Sequence, residues 1–106
     1  MHDGIDDFTM PPAETVRRAA DSLRLLGDPT RLTILWALHQ GETNVGCLAD
    51  LADTSPTAVS QHLSKLRLSG LVTGRREGNR VIYAVADPDV GALLEHVLAP
   101  PRVARP

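Results

Sequence analysis

Residues 55–70 read SPTAVSQHLSKLRLSG, and this stretch decides the fold. Ser55 can cap a helix, because a hydroxyl oxygen accepts from a first-turn amide, and Pro56 suits the first helical position, where no amide is needed. Val59, Leu63 and Leu66 recur at helical spacing and form one buried stripe, and Gly70 ends the helix. Thr57, Ser60, Gln61, Ser64 and Leu68 fall on the opposite arc at about 100° per residue. An ordinary solvated face carries more Glu and Lys; this one is mostly small and polar, suited to close approach.

On the upstream side, Asn44 can cap a short helix with Val45, Leu48, Ala49 and Ala52 inward, followed by a brief turn at Asp53, Thr54 and Ser55. Before it, Asp28 and Pro29 open a helix carrying Leu32, Ile34, Leu35, Trp36 and Leu38 as far as Gly41. A first amphipathic helix runs from Glu14 to Gly27, with Val16, Ala19, Ala20, Leu23 and Leu26 on one side and Arg17, Arg18, Asp21 and Arg24 on the other. On the downstream side, Leu71–Thr73 and Val81–Val85 are strand-like runs around the basic tip Arg75–Arg80, in which Gly78 and Asn79 make the turn. Asp87 and Pro88 then start a helix with Val90, Leu93, Leu94 and Val97 on one stripe, stopped by Pro100 and Pro101. The expected fold is mainly α with a small β-hairpin: a winged helix-turn-helix in the order α-α-α-α-β-β-α, without internal repeats.

A chain of 106 residues with 42% hydrophobic and 23% charged residues is one small globular domain. Residues 1–12 read as a flexible acidic arm, 13–99 as the domain and 100–106 as a proline-rich tail. Aromatics are only Phe8, Trp36 and Tyr83, so the core must be aliphatic, and a domain of this size gains from dimerising. The single cysteine, Cys47, excludes an internal disulfide and reads as a small packed thiol. With no long apolar run and an acidic start, a cytoplasmic location is expected, without a membrane partner.

The net charge of −2 conceals a division. Residues 1–56 hold four Arg against nine Asp and Glu, whereas residues 57–80 hold Lys65, Arg67, Arg75, Arg76 and Arg80 against Glu77 alone. A basic patch on an acidic body is the footprint of a surface for double-stranded DNA. A helix fits the major groove, where Gln61 can read adenine through its amide and Ser or Thr can reach bases or phosphates. The candidate contacts are Ser55, Thr57, Ala58, Ser60, Gln61, Ser64 and Lys65, with Arg75, Arg76, Asn79 and Arg80 from the wing. His62, at the edge of the buried arc, reads first as a partly buried, hydrogen-bonded histidine. Ser60 and His62 point in different directions on a helix and make no hydrolase pair, so no enzyme is expected. The rival reading is a winged helix that meets an acidic protein partner through the same patch.

Asp28, Pro29, Thr30, Arg31, Leu32, Ile34 and Leu35, followed by Ser60, Gln61, His62, Leu63, Leu66, Arg67, Gly70, Leu71 and Val72, resemble the ArsR/SmtB family of bacterial winged-helix repressors over roughly residues 14–98. The resemblance implies a homodimer joined through its first and last helices, with Val16, Leu23, Leu26, Leu93, Leu94 and Val97 as contacts. Two recognition helices would then meet successive major grooves about 34 Å apart on an inverted-repeat operator. It also implies a metal effector such as nickel, zinc or cobalt. The paired-cysteine site of the family is missing, since the corresponding stretch is Asn44, Val45, Gly46, Cys47. In the family's last-helix site, Asp87 matches the first ligand, Asp89 replaces a histidine, and the later positions fall on Pro100 and Val103. A shifted set would use Asp87, Asp89, His96 and His2. Asp89 and His96 lie about 10 Å apart along the helix axis, so they would have to meet across a dimer. The competing roles are helix cap for Asp87, first-turn acid for Asp89 and last-turn cation for His96. A metal-independent regulator, answering to another effector or to a partner protein, shares all of these features.

Overall fold

The caps anticipated from the sequence set the helix starts. In the computed structural model, which describes residues 8–99, Asp28 accepts from the amide of Arg31 at 3.0 Å, Asn44 from Cys47 at 3.0 Å and Ser55 from Ala58 at 3.1 Å. The helices are α1 (Ala13–Leu26), α2 (Pro29–Gln40), α3 (Val45–Ala52), α4 (Pro56–Leu68) and α5 (Pro88–Leu98). Between α4 and α5 lie strands β1 (Val72–Glu77) and β2 (Arg80–Val85). Only α1 lacks a side-chain cap, because Pro12 precedes it.

The tight corner between α3 and α4 is made by Asp53, which takes a left-handed φ of 53°. Aspartate tolerates that region better than most residues. Its amide reaches the Asp50 carbonyl at 3.3 Å and the Thr54 amide reaches Ala49 at 3.0 Å, so two carbonyls at the end of α3 find donors. Gly70, with φ 76°, closes α4 in the same way, with the Leu71 amide on the Leu66 carbonyl at 2.9 Å.

The core is aliphatic, as expected. Ile34, Leu35, Leu48, Val59, Leu63, Leu66 and Leu94 are fully buried, while Trp36 and Tyr83 are packed only at its margin. Each such side chain contributes about 1.5–3 kcal/mol by leaving water. The α4 stripe is the one read from the sequence.

Three expectations need correction. The hairpin tip is two residues long, not six: β1 and β2 pair from Val72 opposite Val85 to Glu77 opposite Arg80, leaving Gly78 and Asn79 as the turn. Gly78 has φ 62°, which hairpin turns of this length require. The apolar stripe of α5 divides, with Leu94 wholly buried while Leu93 and Val97 face outward. Cys47 is exposed rather than packed, because Leu48 and Ala49 occupy the inward arc of α3.

Candidate nucleic-acid interface

The packing of α3 against α4 through Leu48, Ala49, Val59 and Leu63 fixes which side of α4 is free. Thr57, Ser60, Gln61, Ser64 and Lys65 are exposed along it, together with Ser55 at the cap, and Ala58 is half-buried at its edge. Leu68, at the end of the same arc, is 90% exposed. The face singled out by helical spacing is therefore a continuous surface.

His62 sits at the flank of this surface, half-buried, where Arg31 donates through Nη1 to its Nδ1 at 3.2 Å. A guanidinium only donates, so Nδ1 accepts and the ring proton lies on Nε2. Arg31 also donates through Nε to the Leu25 carbonyl at 2.8 Å. One side chain thus ties the end of α1 to α4, a role that nothing local in the sequence signals. The nearby Asp28 carboxyl is held below the usual carboxylate range, first by the hydrogen bond from the Arg31 amide and then by the positive charge of Arg31.

In the wing, the alternation of β1 sends Arg76 and Arg75 to opposite faces. Arg76 shares a face with Val81, and Val81 and Tyr83 line an open cleft of about 520 Å³ with Asn44, Ser60, Asn79 and Arg80. Gly74 opposite Tyr83 permits this arrangement, since a Cβ there would lie 3.1 Å from the tyrosine ring. Arg75 departs from its expected place in the contact surface. It donates to both oxygens of Glu42, at 2.7 and 2.9 Å, and to Glu77 at 2.7 Å. These bonds hold the Glu42 carboxyl below its ordinary range and push the Arg75 guanidinium further up. Glu42, 33 positions away in sequence, was missed because a loop glutamate has no local signal for a distant partner. Lys65, Arg67, Arg76 and Arg80 make no ion pair with any described residue.

Val16 and Leu23 of α1 and Leu93 and Val97 of α5 are exposed apolar residues, and Leu23, Leu93 and Val97 line one shallow pocket between the two helices. Leu26 and Leu94, expected beside them, belong to the protomer's own core at 8% and 0% exposure. Burial within one chain leaves them little or no surface to offer a second.

The metal donors do not converge in one chain. Asp87 is spent as the α5 cap, accepting from the Asp89 amide at 2.6 Å, while Asp89 and His96 are exposed in the first and last turns of the same helix. His2 lies outside the described residues. Among the described residues, no three His, Cys, Asp or Glu side chains are grouped to hold an ion. The described residues of one chain therefore do not by themselves fit the metal that the resemblance implies. A histidine pair missed by the sequence reading, His39 Nε2 with Glu95 Oε2 at 2.8 Å, instead joins α2 to α5. No described helix is long and apolar enough to cross a membrane.

Helix, helix, helix-turn-helix, hairpin and closing helix define a winged helix-turn-helix protein. The family model for bacterial regulatory proteins of the arsR family matches residues 28–73. The transcriptional regulator NmtR of Mycobacterium tuberculosis is 33% identical over 102 residues, covering 92% of this chain and 85% of NmtR. The transcriptional regulator KmtR of the same organism is 36% identical over 83 residues; the match covers 78% of this chain, which spans only 64% of KmtR's length. The homodimeric winged helix-turn-helix DNA-binding domain of Mb0332 from Mycobacterium bovis superposes with a TM-score of 0.75 at 36% identity, over 80% of this chain and 79% of that one. The chain belongs to the ArsR family of bacterial regulatory proteins. Its relatives are transcriptional regulators, not enzymes.

Proposed function

We propose that the protein is a cytoplasmic, homodimeric transcriptional repressor that binds an inverted-repeat operator in double-stranded DNA through α4 and the wing. The observation that carries this reading is the exposed face of Thr57, Ser60, Gln61 and Ser64, bordered by cations that no described acid neutralises. Small polar side chains permit approach to base edges, and unpaired cations displace counterions from phosphate. The exposed apolar residues of α1 and α5 supply the self-association surface, in keeping with the homodimeric Mb0332 domain. Two-fold symmetry would then present two recognition helices.

Fluorescence anisotropy with a duplex covering the chain's own upstream region, against random DNA across a salt series, tests the reading. Tighter binding to the upstream duplex, with a steep salt dependence, is the expected result. Weak, sequence-indifferent binding together with tight capture of an acidic protein would favour the protein-interaction rival.

Because the described donors do not gather in one chain, no regulatory step is derived through a metal. A site shared by two protomers would have to combine Asp89 of one with His96 of the other. Calorimetric titration of nickel, zinc and cobalt into the wild type and an Asp89→Ala, His96→Ala variant decides that version. Equal affinities would eliminate it.

A further inference from the structure

Arg75 belongs to the basic stretch by sequence, yet its surroundings are acidic. Four of its five N–H groups point at carboxylates: Nη1 and Nη2 at the two oxygens of Glu42, and Nε and Nη2 at Glu77, the Nε bond being 3.1 Å. The ion-paired cluster of one guanidinium and two carboxylates sums to −1, and Arg80 stands opposite Glu77 in the register. The fork that would grip a phosphate is already occupied. Arg76, on the opposite face of β1, shares the side of Val81 and the cleft toward α3 and α4.

The partner of Arg75 is itself anchored. Glu42 precedes Thr43, whose amide donates to the Tyr83 carbonyl at 3.1 Å and whose carbonyl accepts from the Tyr83 amide at 2.8 Å. The loop between α2 and α3 is therefore tied to β2 by its backbone and to β1 by the Glu42 side chain. A two-stranded ribbon has little rigidity of its own, and these two ties add to the packing of Val72, Tyr83 and Val85 on the core in orienting it on the body.

We propose that Arg75 is a positioning residue: Glu42 and Glu77 hold it as a brace that aims the wing, and it contributes no charge to DNA phosphate. The inference rests on the DNA-binding reading above. It predicts that the loop acid Glu42 supports operator recognition although it carries the wrong sign to touch DNA.

The test uses the full chain on random-sequence and upstream duplexes across a salt series, with Arg76→Ala as the reference for a true phosphate contact. Arg76→Ala should lower the slope of log affinity against log salt by about one per protomer. Arg75→Gln should leave that slope unchanged. Arg75→Gln, Arg75→Lys and Glu42→Gln should each reduce the preference for the upstream duplex by about two- to fivefold, the range expected of an exposed pair. Lysine fails here because a point charge cannot make the bidentate bond. A drop of about one per protomer in slope for Arg75→Gln that Arg75→Lys restores would overturn the proposal.

A second readout is independent of DNA. In the free protein, amide exchange at Glu77 and Arg80 should quicken alike in Glu42→Gln and Arg75→Gln, while the α4 amides keep their protection. Unchanged exchange at the tip would equally overturn the brace. A wild type without salt-dependent DNA binding would defeat the functional reading while the exchange experiment still judged the brace.

Discussion

Two groups of cations on this chain are treated in opposite ways. In α1, Arg17 pairs with Glu14, Arg18 lies 3.9 Å from Glu14, and Arg24 reaches Asp21 at 2.7 Å. All are contacts between residues three or four apart on one helix surface, so three arginines share two carboxylates and one positive charge is left over. In α4 and the wing, Lys65, Arg67, Arg76 and Arg80 have no described acid within ion-pair distance, and only Arg75 is neutralised. Counting basic residues would rate both regions as candidate DNA surfaces. What separates them is whether the acids stand at helical spacing from the bases, because a phosphate must compete with any carboxylate already present.

The largest effect should follow from removing free cations. Lys65→Ala combined with Arg76→Ala is expected to lower the salt slope by about two per protomer and to weaken upstream and random duplexes alike. Anisotropy across a salt series measures it, and an unchanged slope would erase the distinction between the two regions. Next in size is Gln61→Ala. It should cost about 1–3 kcal/mol of preference for the upstream duplex while leaving random-duplex binding and its slope intact. Equal losses on both duplexes would mean that Gln61 grips the backbone instead of reading bases.

The parts of this surface that were legible in the sequence are the local ones. Asp28, Asn44, Ser55 and Asp87 act as caps over two or three residues, and the spacing of Val59, Leu63 and Leu66 settles which side of α4 is buried. The wing was read too short because β1 and the tip project from the body. With Arg75, Arg76 and Glu77 all exposed, no inward residue marks the strand by alternating hydrophobicity. The Glu42 brace and the Arg31–His62 contact join residues more than thirty positions apart, which neither periodicity nor capping can reveal. On α5, adjacent Leu93 and Leu94 look equivalent in a helical stripe. The position of α2 makes one core and leaves the other outside, since His39 packs against Gly91 and pairs with Glu95.

A smaller effect belongs to acidity. The carboxyls of Asp28 and Glu42 both titrate below their ordinary range in the folded chain, Asp28 mainly through the Arg31 amide and Glu42 mainly through Arg75. A lowered pKa means that the stabilising contribution is complete above the unfolded value and is lost as pH falls through the folded one. The melting temperature should therefore hold from pH 7 to about 5 and fall below about 4. Asp28→Asn keeps an oxygen for the Arg31 amide but has no proton to gain, so its acid-side fall should be shallower. An identical fall in the variant would assign the loss to other carboxylates.

The smallest change is expected where the cation is already paired, and it is the sharpest check on the comparison. Arg24→Ala removes one positive charge, as Arg76→Ala does, so the two variants have the same net charge. If DNA responded to the protein's overall field, both would weaken binding equally. Arg24 donates to Asp21, and both are exposed on α1. The pair adds little to stability, and its charges already offset one another. Arg24→Ala should therefore leave the salt slope and both affinities at wild-type values, with little change in melting temperature, while Arg76→Ala lowers the slope by about one per protomer. A matching loss in Arg24→Ala would show that the DNA answers to the overall field or to α1 itself. The opposed treatment of the two cation groups would then have no bearing on where the phosphate lies.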